Sequence, residues 1–245
     1  MTTRETRAAA AEIKFLIHPA LAPRIRAWAR INLQPDPHGG GPFGDEYETA
    51  SLYFDTQGLD VFHRRQSHGR AKYRIRRYGS SSTVFFERKL RTSRMLVKRR
   101  TMDSVDALAR LENGTTTVDW AGEWFRRRLA ARGLHAVCQV SYHRMARLID
   151  TADGVARLTL DTNLRAGHTS GAAFAGAPAV PFLSEHVILE LKYRNHPPAA
   201  FKRLIESFAL TATTASKYRL GMAALGHGAP AVATSTQAAS NVSYA

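Results

Sequence analysis

Charged and apolar side chains alternate along several short stretches of the chain. Between residues 187 and 193, valine, leucine and tyrosine fill one face of an extended strand, while Glu190 and Lys192 lie on the other. The same alternation recurs in three further stretches, at residues 12–17, 84–90 and 156–161. A half-exposed sheet can produce one such strand, but it more rarely produces four with both signs of charge. The pattern predicts a β-barrel whose apolar faces pack outward against helices and whose charged, mainly cationic faces line a cavity.

The remaining periodicities predict an α+β fold, with an antiparallel barrel buttressed by helices. Further strands are expected at residues 47–54, 71–78, 83–90, 137–149 and 155–160. Helices are expected near residues 25–31, 105–111, 120–129, 201–208 and 216–225, with a short one in the turn at 58–65 and a loop at 166–179. Residues 11–226 are expected to form one domain between a flexible N-terminal arm (1–10) and a disordered tail (227–245) rich in alanine, serine and threonine.

The composition adds that the partner is anionic. Apolar residues make up 44% of the 245, which is enough for a core, and the formal net charge is +15. This charge favours a nucleic acid, a phosphorylated metabolite, an inorganic phosphate polymer or an anionic membrane, without choosing among them. The single cysteine, Cys138, excludes an intrachain disulfide. No apolar run reaches the roughly 18 residues of a membrane span and no secretory signal is evident, so a cytoplasmic location is expected.

Two basic segments refine the picture of the cavity wall. Residues 64–78 contain seven lysines and arginines and no acidic residue, and Lys72, Arg74 and Arg76 share one strand face. Residues 88–100 contain seven more. Rows of such side chains, two residues apart, suit a chain of phosphates, because arginine grips phosphate oxygens in pairs and lysine adds a compact charge. On these segments alone, a solvated basic surface is an equally good interpretation.

Carboxylates among the cations shift the balance towards metal-assisted phosphoryl chemistry. Glu190, Glu87, Asp161 and Glu12 add nothing to a cavity that only binds polyanions, whereas a divalent metal that carries phosphate oxygens needs inward carboxylates. The alternative is that each one neutralises a buried lysine or arginine, and for Glu12 and Glu87 the two interpretations have equal weight. The chain has neither the GxxxxGK[ST] nor the GxSxG pattern, and no HExxH metal motif.

Short blocks in a fixed order give the chain a family resemblance that runs from about Glu12 to Leu220. The blocks are Glu12–Phe15, Ser51–Thr56 followed by Leu59 and Asp60, Tyr73–Gly79, Glu87–Lys89, Val97–Arg100, Tyr142 with Arg144, Arg157–Asp161, Leu189–Tyr193 and Ser216–Tyr218. Each block is weak alone, but together they resemble the VTC domain, the polyphosphate-polymerase branch of the triphosphate tunnel metalloenzymes.

The resemblance implies a tunnel of antiparallel strands and a role for each matching residue. The implied catalytic residues that contact phosphates are Lys14, Arg74, Arg76, Lys89, Lys98, Arg144 and Lys217. Further phosphate-binding residues are Arg100, Arg157, Lys192 and Ser216. Glu190 would hold a divalent metal, Mn²⁺ or Mg²⁺, with Glu12, Glu87 and Asp161 as further candidate ligands.

The implied reaction transfers the terminal phosphoryl group of ATP onto a growing polyphosphate chain. The expected partners are therefore ATP or another triphosphate and polyphosphate, with no specific nucleic acid, and a separate membrane partner is left open. Two alternatives remain: a tunnel triphosphatase that passes the phosphoryl group to water, and a non-catalytic module that binds polyphosphate or nucleic acid. The net charge of +15 alone fits all three.

Overall fold

The strands form one antiparallel sheet in the computed structural model, which describes residues 11–91, 96–112, 120–174 and 179–228. Its ten strands within these ranges are β1 (Ala11–Ile17), β2 (Gln34–Pro35), β3 (Glu46–Asp55), β4 (Ala71–Tyr78), β5 (Thr83–Arg91), β6 (Leu96–Ser104), β7 (His135–Thr151), β8 (Gly154–His168), β9 (Val180–Pro181) and β10 (Val187–Tyr193). Eight of them follow the order β1-β10-β8-β7-β3-β4-β5-β6, while the short β2 and β9 pair with β7 and β8.

The sheet curves until its two ends approach each other. Strands β1 and β5 are six places apart in the strand order, which corresponds to about 29 Å in a flat sheet. Yet Lys89 Nζ on β5 lies 3.6 Å from Glu12 Oε1 on β1. The sheet therefore encloses a tunnel. Strands β1 and β6 remain its two edges in the described pairing, so the barrel is not closed by hydrogen bonds.

Helices cover the outer, apolar face of the sheet, as the alternation predicts. The helices of the described residues are α1 (Ala22–Asn32), α2 (Ala109–Glu112), α3 (Glu123–Ala130), α4 (Ala199–Ser207) and α5 (Lys217–Ala224). Ile25 of α1 and Phe201 of α4 pack with Leu158 and Leu189 of the sheet, and all four are fully buried. Phe125 of α3 is equally buried in a second cluster. No helix in the described part of the chain is long and apolar enough to cross a membrane.

Helix α5 brings its first residues to the inward side of the sheet. A Cβ on Gly221 would come within 3.1 Å of both Val140 on β7 and Ala166 on β8, so the helix backbone lies very close to these strands. The Ser216 side chain caps the helix and accepts a hydrogen bond from Arg219 N. Lys217 follows directly and is buried.

Most predicted elements are confirmed, with three differences besides the two-residue strands β2 and β9, which were not predicted. Strand β6 was not predicted, because lysine and arginine occupy both of its faces and hide the alternation. Strand β8 continues to His168, so the loop expected from residue 166 begins later. The expected helix at 58–65 is a run of turns followed by a 3₁₀ helix at His68–Arg70. The arm expected at 1–10 and residues 229–245 of the expected tail lie outside the described residues.

A buried carboxylate at the end of β3 fixes the loop that follows it and ties the loop to α5. Asp55 is fully buried and accepts hydrogen bonds from the backbone N–H groups of Thr56 (2.7 Å), Val61 (2.8 Å) and Phe62 (2.8 Å). It also accepts one from the Tyr218 hydroxyl. Asp55 thus positions the segment that carries Ser216 and Lys217, which explains why this part of the chain needs an aspartate.

We expect Asp55→Ala to lower the free energy of unfolding by about 3 kcal/mol or more, because several buried donors lose their acceptor. Urea denaturation followed by circular dichroism measures this change. Asp150→Ala, at an exposed position of β7, serves as the matched control and should change stability little. Equal stability of the two variants would contradict the assigned role of Asp55.

Candidate functional site

The pairing register brings the predicted site residues to the inward face of the sheet. Lys14 lies opposite Glu190, Asp161 opposite Arg144, and Glu87 opposite both Arg74 and Arg100. The other predicted residues on strands share this face, namely Glu12, Arg76, Lys89, Lys98, Arg157 and Lys192. Ser216 and Lys217 reach the same face from the start of α5. The tunnel wall therefore gathers the predicted cations and the predicted carboxylates on one surface.

Glu190 is the centre of the largest cluster, because three lysines converge on its carboxylate. Lys14 Nζ and Lys217 Nζ each lie 2.9 Å from Oε1, and Lys192 Nζ lies 2.8 Å from Oε2. The Glu190 side chain is only 6% exposed. Burial opposes its ionisation, but Lys14, Lys192 and Lys217 outweigh burial and hold the pKa of Glu190 well below its usual value. The carboxylate is therefore ionised at neutral pH.

Asp161 extends this cluster to β7. Its carboxylate accepts two hydrogen bonds from the Arg144 guanidinium, at 2.6 and 2.7 Å, and Lys217 Nζ lies 2.6 Å from Oδ2. Asp161 is fully buried. Despite that burial, Arg144 and Lys217 lower its pKa. Lys217 thus bridges Asp161 and Glu190. Burial of Lys217 lowers its pKa, but the attraction of these two carboxylates outweighs burial and raises it.

Glu12 joins the edge strand β1 and, on the far side of the curved sheet, β5 to the same cluster. Its carboxylate contacts Lys14 on its own strand, and lies 3.6 Å from Lys89 Nζ and 3.9 Å from Lys192 Nζ. Burial raises the pKa of Glu12, but the attraction of Lys192 and Lys14 prevails and lowers it far below 4.5. Glu12 therefore acts as an anion between lysines, which is one of the two roles that the sequence left open.

Glu87 holds a second, separate cluster of arginines. Arg74 Nε lies 2.6 Å and Arg100 Nε lies 3.4 Å from its two carboxylate oxygens. Burial is opposed first by Arg74 and then by Arg76 and Arg100, and the pKa of Glu87 falls to about 2. Both guanidinium groups also approach tyrosine hydroxyls, of Tyr53 and Tyr78 respectively, at 3.5 Å.

Three inward cations have no carboxylate partner among the described residues. Arg76 is 6% exposed, and its Nε donates to the Ser51 hydroxyl at 3.2 Å. Lys72 donates to the Ser216 hydroxyl at 2.8 Å. Lys98 is exposed. Buried charges without a counter-ion are costly, so Arg76 and Lys72 indicate where an anionic ligand would bind, whereas the exposed Lys98 carries no such cost.

Asp36 escaped prediction from the sequence, and Lys72 was predicted only as part of the basic strand face that it shares with Arg74 and Arg76. Lys72 belongs to no family block, yet it stands two residues before Arg74 on the same strand face, and that spacing was the available signal. Asp36 lies in a loop without a distinctive pattern, and its Oδ2 lies 2.5 Å from Nη2 of Arg157, which also donates to the Tyr47 hydroxyl. The predicted phosphate ligand Arg157 is thus engaged by a carboxylate outside the two clusters.

The carboxylates fit a metal that takes most of its ligands from phosphates. Within the described ranges, no group of three or more His, Cys, Asp or Glu side chains could hold a metal ion by itself. Glu87 lies in its own cluster, while Glu12 and Glu190 both contact Lys14 and Lys192. One or two carboxylates together with substrate phosphates are the usual ligands of Mg²⁺ at nucleotide sites. Glu190, with Glu12 beside it, is the donor set present for such an ion.

The fold and these charges define a tunnel protein whose interior is lined mainly by lysine and arginine. The family model of the VTC domain matches residues 9–226. The chain therefore belongs to the VTC domain family, which confirms the resemblance seen in the sequence blocks. A comparison with curated proteins finds no match.

Two solved structures are similar to the chain at low sequence identity. A candidate adenylate cyclase from Bacillus halodurans is 16% identical, with a TM-score of 0.55 over 85% of this chain and 94% of that one. A candidate adenylyl cyclase from Hippeastrum, described as having a dominant triphosphatase activity, is 14% identical, with a TM-score of 0.45 over 88% of this chain and 96% of that one. The first likeness confirms the tunnel fold that the family resemblance implies.

We expect the stability of the protein to fall in acid, because its inward carboxylates have lower pKa values in the folded state than in the unfolded chain. Between the folded-state pKa and the ordinary value of 4.5, the unfolded chain binds more protons than the native one, so lowering the pH favours unfolding. Glu190→Gln should be less stable than the wild type by about 3 kcal/mol at neutral pH, since three lysines lose their shared counter-ion.

Urea denaturation of the two proteins at a series of pH values checks this expectation. The difference between them should shrink as the pH falls through the folded-state pKa of Glu190, where wild-type Glu190 also becomes neutral. Glu206→Gln, at an exposed position of α4, is the control. A stability difference that persists unchanged into strong acid would argue against the lowered pKa of Glu190.

Proposed function

We propose that this protein is a metal-dependent polyphosphate polymerase, which transfers the terminal phosphoryl group of ATP onto a polyphosphate chain inside the tunnel. Membership of the VTC domain family supports the class of reaction. The proposal rests on the pairing and ionisation of the four inward carboxylates, which are Glu12, Asp161 and Glu190 in one cluster and Glu87 in the other. Each is paired with lysine or arginine, and its pKa is lowered.

The excess of inward cations supports an anionic substrate longer than one phosphate. The cationic side chains on this face, apart from Arg157, are Lys14, Lys72, Arg74, Arg76, Lys89, Lys98, Arg100, Arg144, Lys192 and Lys217. Among the residues that the structure describes, the carboxylates that oppose them are Glu12, Glu87, Asp161 and Glu190. Lys72, Arg74 and Arg76 alone span about 13 Å along β4, at the usual rise of a strand. A bound chain of phosphates would be gripped at several points and from several strands.

The protonation states favour a phosphate acceptor over water. A carboxylate with a strongly lowered pKa is a weak base, and a weak base activates water poorly. The terminal oxygen of polyphosphate is already an anion and needs no base, so the tunnel has only to align it with the donor. Positioning and electrostatic stabilisation then supply the rate enhancement, as in other phosphoryl transfers.

Glu190 is the proposed metal ligand, with Glu12 next to it. When bound, Mg²⁺ or Mn²⁺ would neutralise charge on the phosphoryl group and orient it. The residues of the chain do the rest. Lys14, Lys192 and Lys217 would contact phosphate oxygens, Arg74 and Arg76 would hold the chain with their planar forks, and the enclosed tunnel would exclude water.

Purified protein incubated with ATP and Mn²⁺ is expected to make long phosphate chains, visible on a stained gel. Release of orthophosphate alone would instead identify a tunnel triphosphatase, and binding of polyphosphate with no turnover in any metal would identify a binding module. Either result would contradict the proposed reaction. Glu190→Gln should abolish chain synthesis, whereas Lys202→Ala, at an exposed position of α4, should leave it unchanged.

Substituting Arg144, which is paired with Asp161, and Arg76, which has no bonded carboxylate, is expected to affect activity in both cases but stability mainly in the first. Both Arg76→Met and Arg144→Met should reduce synthesis, because each removes a charge that would hold phosphate. Arg144→Met should also lower the free energy of unfolding by about 3 kcal/mol, since Asp161 keeps only Lys217. Arg76→Met should cost less than about 1 kcal/mol, since no carboxylate loses a bonded partner.

Synthesis rates and urea denaturation of the two variants provide the comparison. If Arg76→Met proved as unstable as Arg144→Met, Arg76 would have a structural role that its contacts do not indicate. If Arg76→Met kept full synthesis, Arg76 would not face the substrate.

A further inference from the structure

The surroundings of Lys72 disfavour its positive charge, and a bound anion would offset this effect. It is half-buried on β4, and on the adjacent strand its directly opposed residue is Lys89. Like charges directly opposite each other destabilise a sheet. Lys89 is itself drawn towards Glu12 at 3.6 Å, whereas the hydrogen-bond partner of Lys72 is a neutral hydroxyl, that of Ser216. In the described residues, no carboxylate lies within ion-pair distance of Lys72.

The groups that face Lys72 from the neighbouring elements are also cationic. Lys14 on β1, Lys89 on β5, Arg64 in the loop before β4 and Arg219 on α5 all act on it by repulsion. Arg219 is a further cation of this group without a carboxylate partner among the described residues. Its Nε is buried and has no hydrogen-bond partner among the described residues, and its guanidinium lies over the Phe62 ring at 5.8 Å. Lys14 and Lys89 are paired with carboxylates, whereas Lys72, Arg64 and Arg219 form no ion pair with a carboxylate in the described part of the chain.

The protonation of Lys72 responds to these surroundings. Burial, followed by the repulsion of Lys14 and Lys89, lowers the pKa of Lys72 to about 7. At slightly alkaline pH the amine is therefore mostly neutral in the free protein. A phosphate group placed between Lys72 and Lys89 would reverse the local potential and favour the ammonium form, which also donates more hydrogen bonds.

We propose that Lys72, Lys89, Arg64 and Arg219 form a docking position for one phosphate group of the bound chain, and that Lys72 takes up a proton as this phosphate docks. The proton comes from the solvent and converts the Nζ amine to an ammonium, and no covalent bond of the ligand changes. The inference rests on the proposed function in that a phosphate chain is taken as the ligand. Once protonated, Lys72 offers no base to water, which agrees with transfer to phosphate.

The sign of the pH dependence follows from this uptake. Below the pKa of free Lys72 the ammonium is already present, so binding takes up no proton there. Above that pKa each binding event takes up close to one proton, and the affinity falls as the pH rises. Relative to a variant with a permanent charge at position 72, wild-type affinity should fall about fivefold between pH 7 and pH 8.

Calorimetric titration with inorganic tripolyphosphate, without metal, tests the inference. Titrations at pH 8 in two buffers of different ionisation enthalpy give the number of protons taken up. The wild type should take up close to one proton more than Lys72→Arg, which is charged at every pH used. The difference between the two proteins cancels any proton that the ligand itself exchanges. Lys202→Arg, outside the tunnel on α4, should behave as the wild type does.

Lys72→Met provides a second measurement should arginine disturb the packing. It should also lack the extra proton, and it should bind tripolyphosphate more weakly than the wild type below pH 7, where wild-type Lys72 is charged. Without ligand it should unfold at an equal or higher temperature than the wild type, since a repelled charge is removed.

The outcomes separate this inference from the proposed function. Equal proton counts in the wild type, Lys72→Arg and Lys72→Met would overturn the inference and leave the polymerase proposal standing. Uptake that depends on Lys72, with no chain synthesis from ATP, would support the inference and contradict the polymerase. Failure of tripolyphosphate to bind to any of the proteins would overturn the inference, whereas the polymerase proposal is decided separately by chain synthesis from ATP and Mn²⁺.

Discussion

The meeting of three lysines on the Glu190 carboxylate is the interaction on which the tunnel depends. The lysines come from β1, from β10 and from α5, so one buried anion joins an edge strand, its neighbour and the helix that reaches the inward face. Buried charge is tolerated only when it is paired and hydrogen-bonded. The residues that close this side of the tunnel are therefore the same residues that are proposed to bind metal and phosphate.

Because the same carboxylate pairs with lysines and is the proposed metal ligand, binding of a metal ion would have to displace the lysines. In the free protein, Glu190 neutralises Lys14, Lys192 and Lys217, but a metal ion on Glu190 would compete with these lysines for the same oxygens. A phosphate chain resolves the competition, because it offers the lysines new anionic partners as the metal takes the carboxylate. Metal and phosphate are thus expected to bind better together than separately, since each supplies the counter-charge that the other displaces.

The sequence predicted which residues face inward but not which of them are partners. Inward placement follows from a period of two, which is local, so Glu12, Lys14, Glu190 and Lys192 could be assigned from short stretches. The pairing of Lys14 with Glu190 joins residues 176 positions apart and depends on the register of β1 against β10, which no local pattern specifies. Strand β6 escaped prediction for a related reason, because Lys98 and Arg100 face inward while Arg99 lies over Trp124 at 4.2 Å.

Lys72 differs from the paired cations of the tunnel, because its contacts in the free protein do not neutralise its charge. The four carboxylates are placed where cations converge, so the clusters around Glu190 and Glu87 stabilise the free protein. No such compensation reaches Lys72 and Arg219, although substituting either by an apolar residue would remove repulsion. Charges that repel one another lower the stability of the free protein, and they become favourable when an anionic ligand binds between them. Local conflict of this kind is typical of functional sites. The tunnel is therefore neutralised by its own carboxylates in one part and left for an external anion to neutralise in the other.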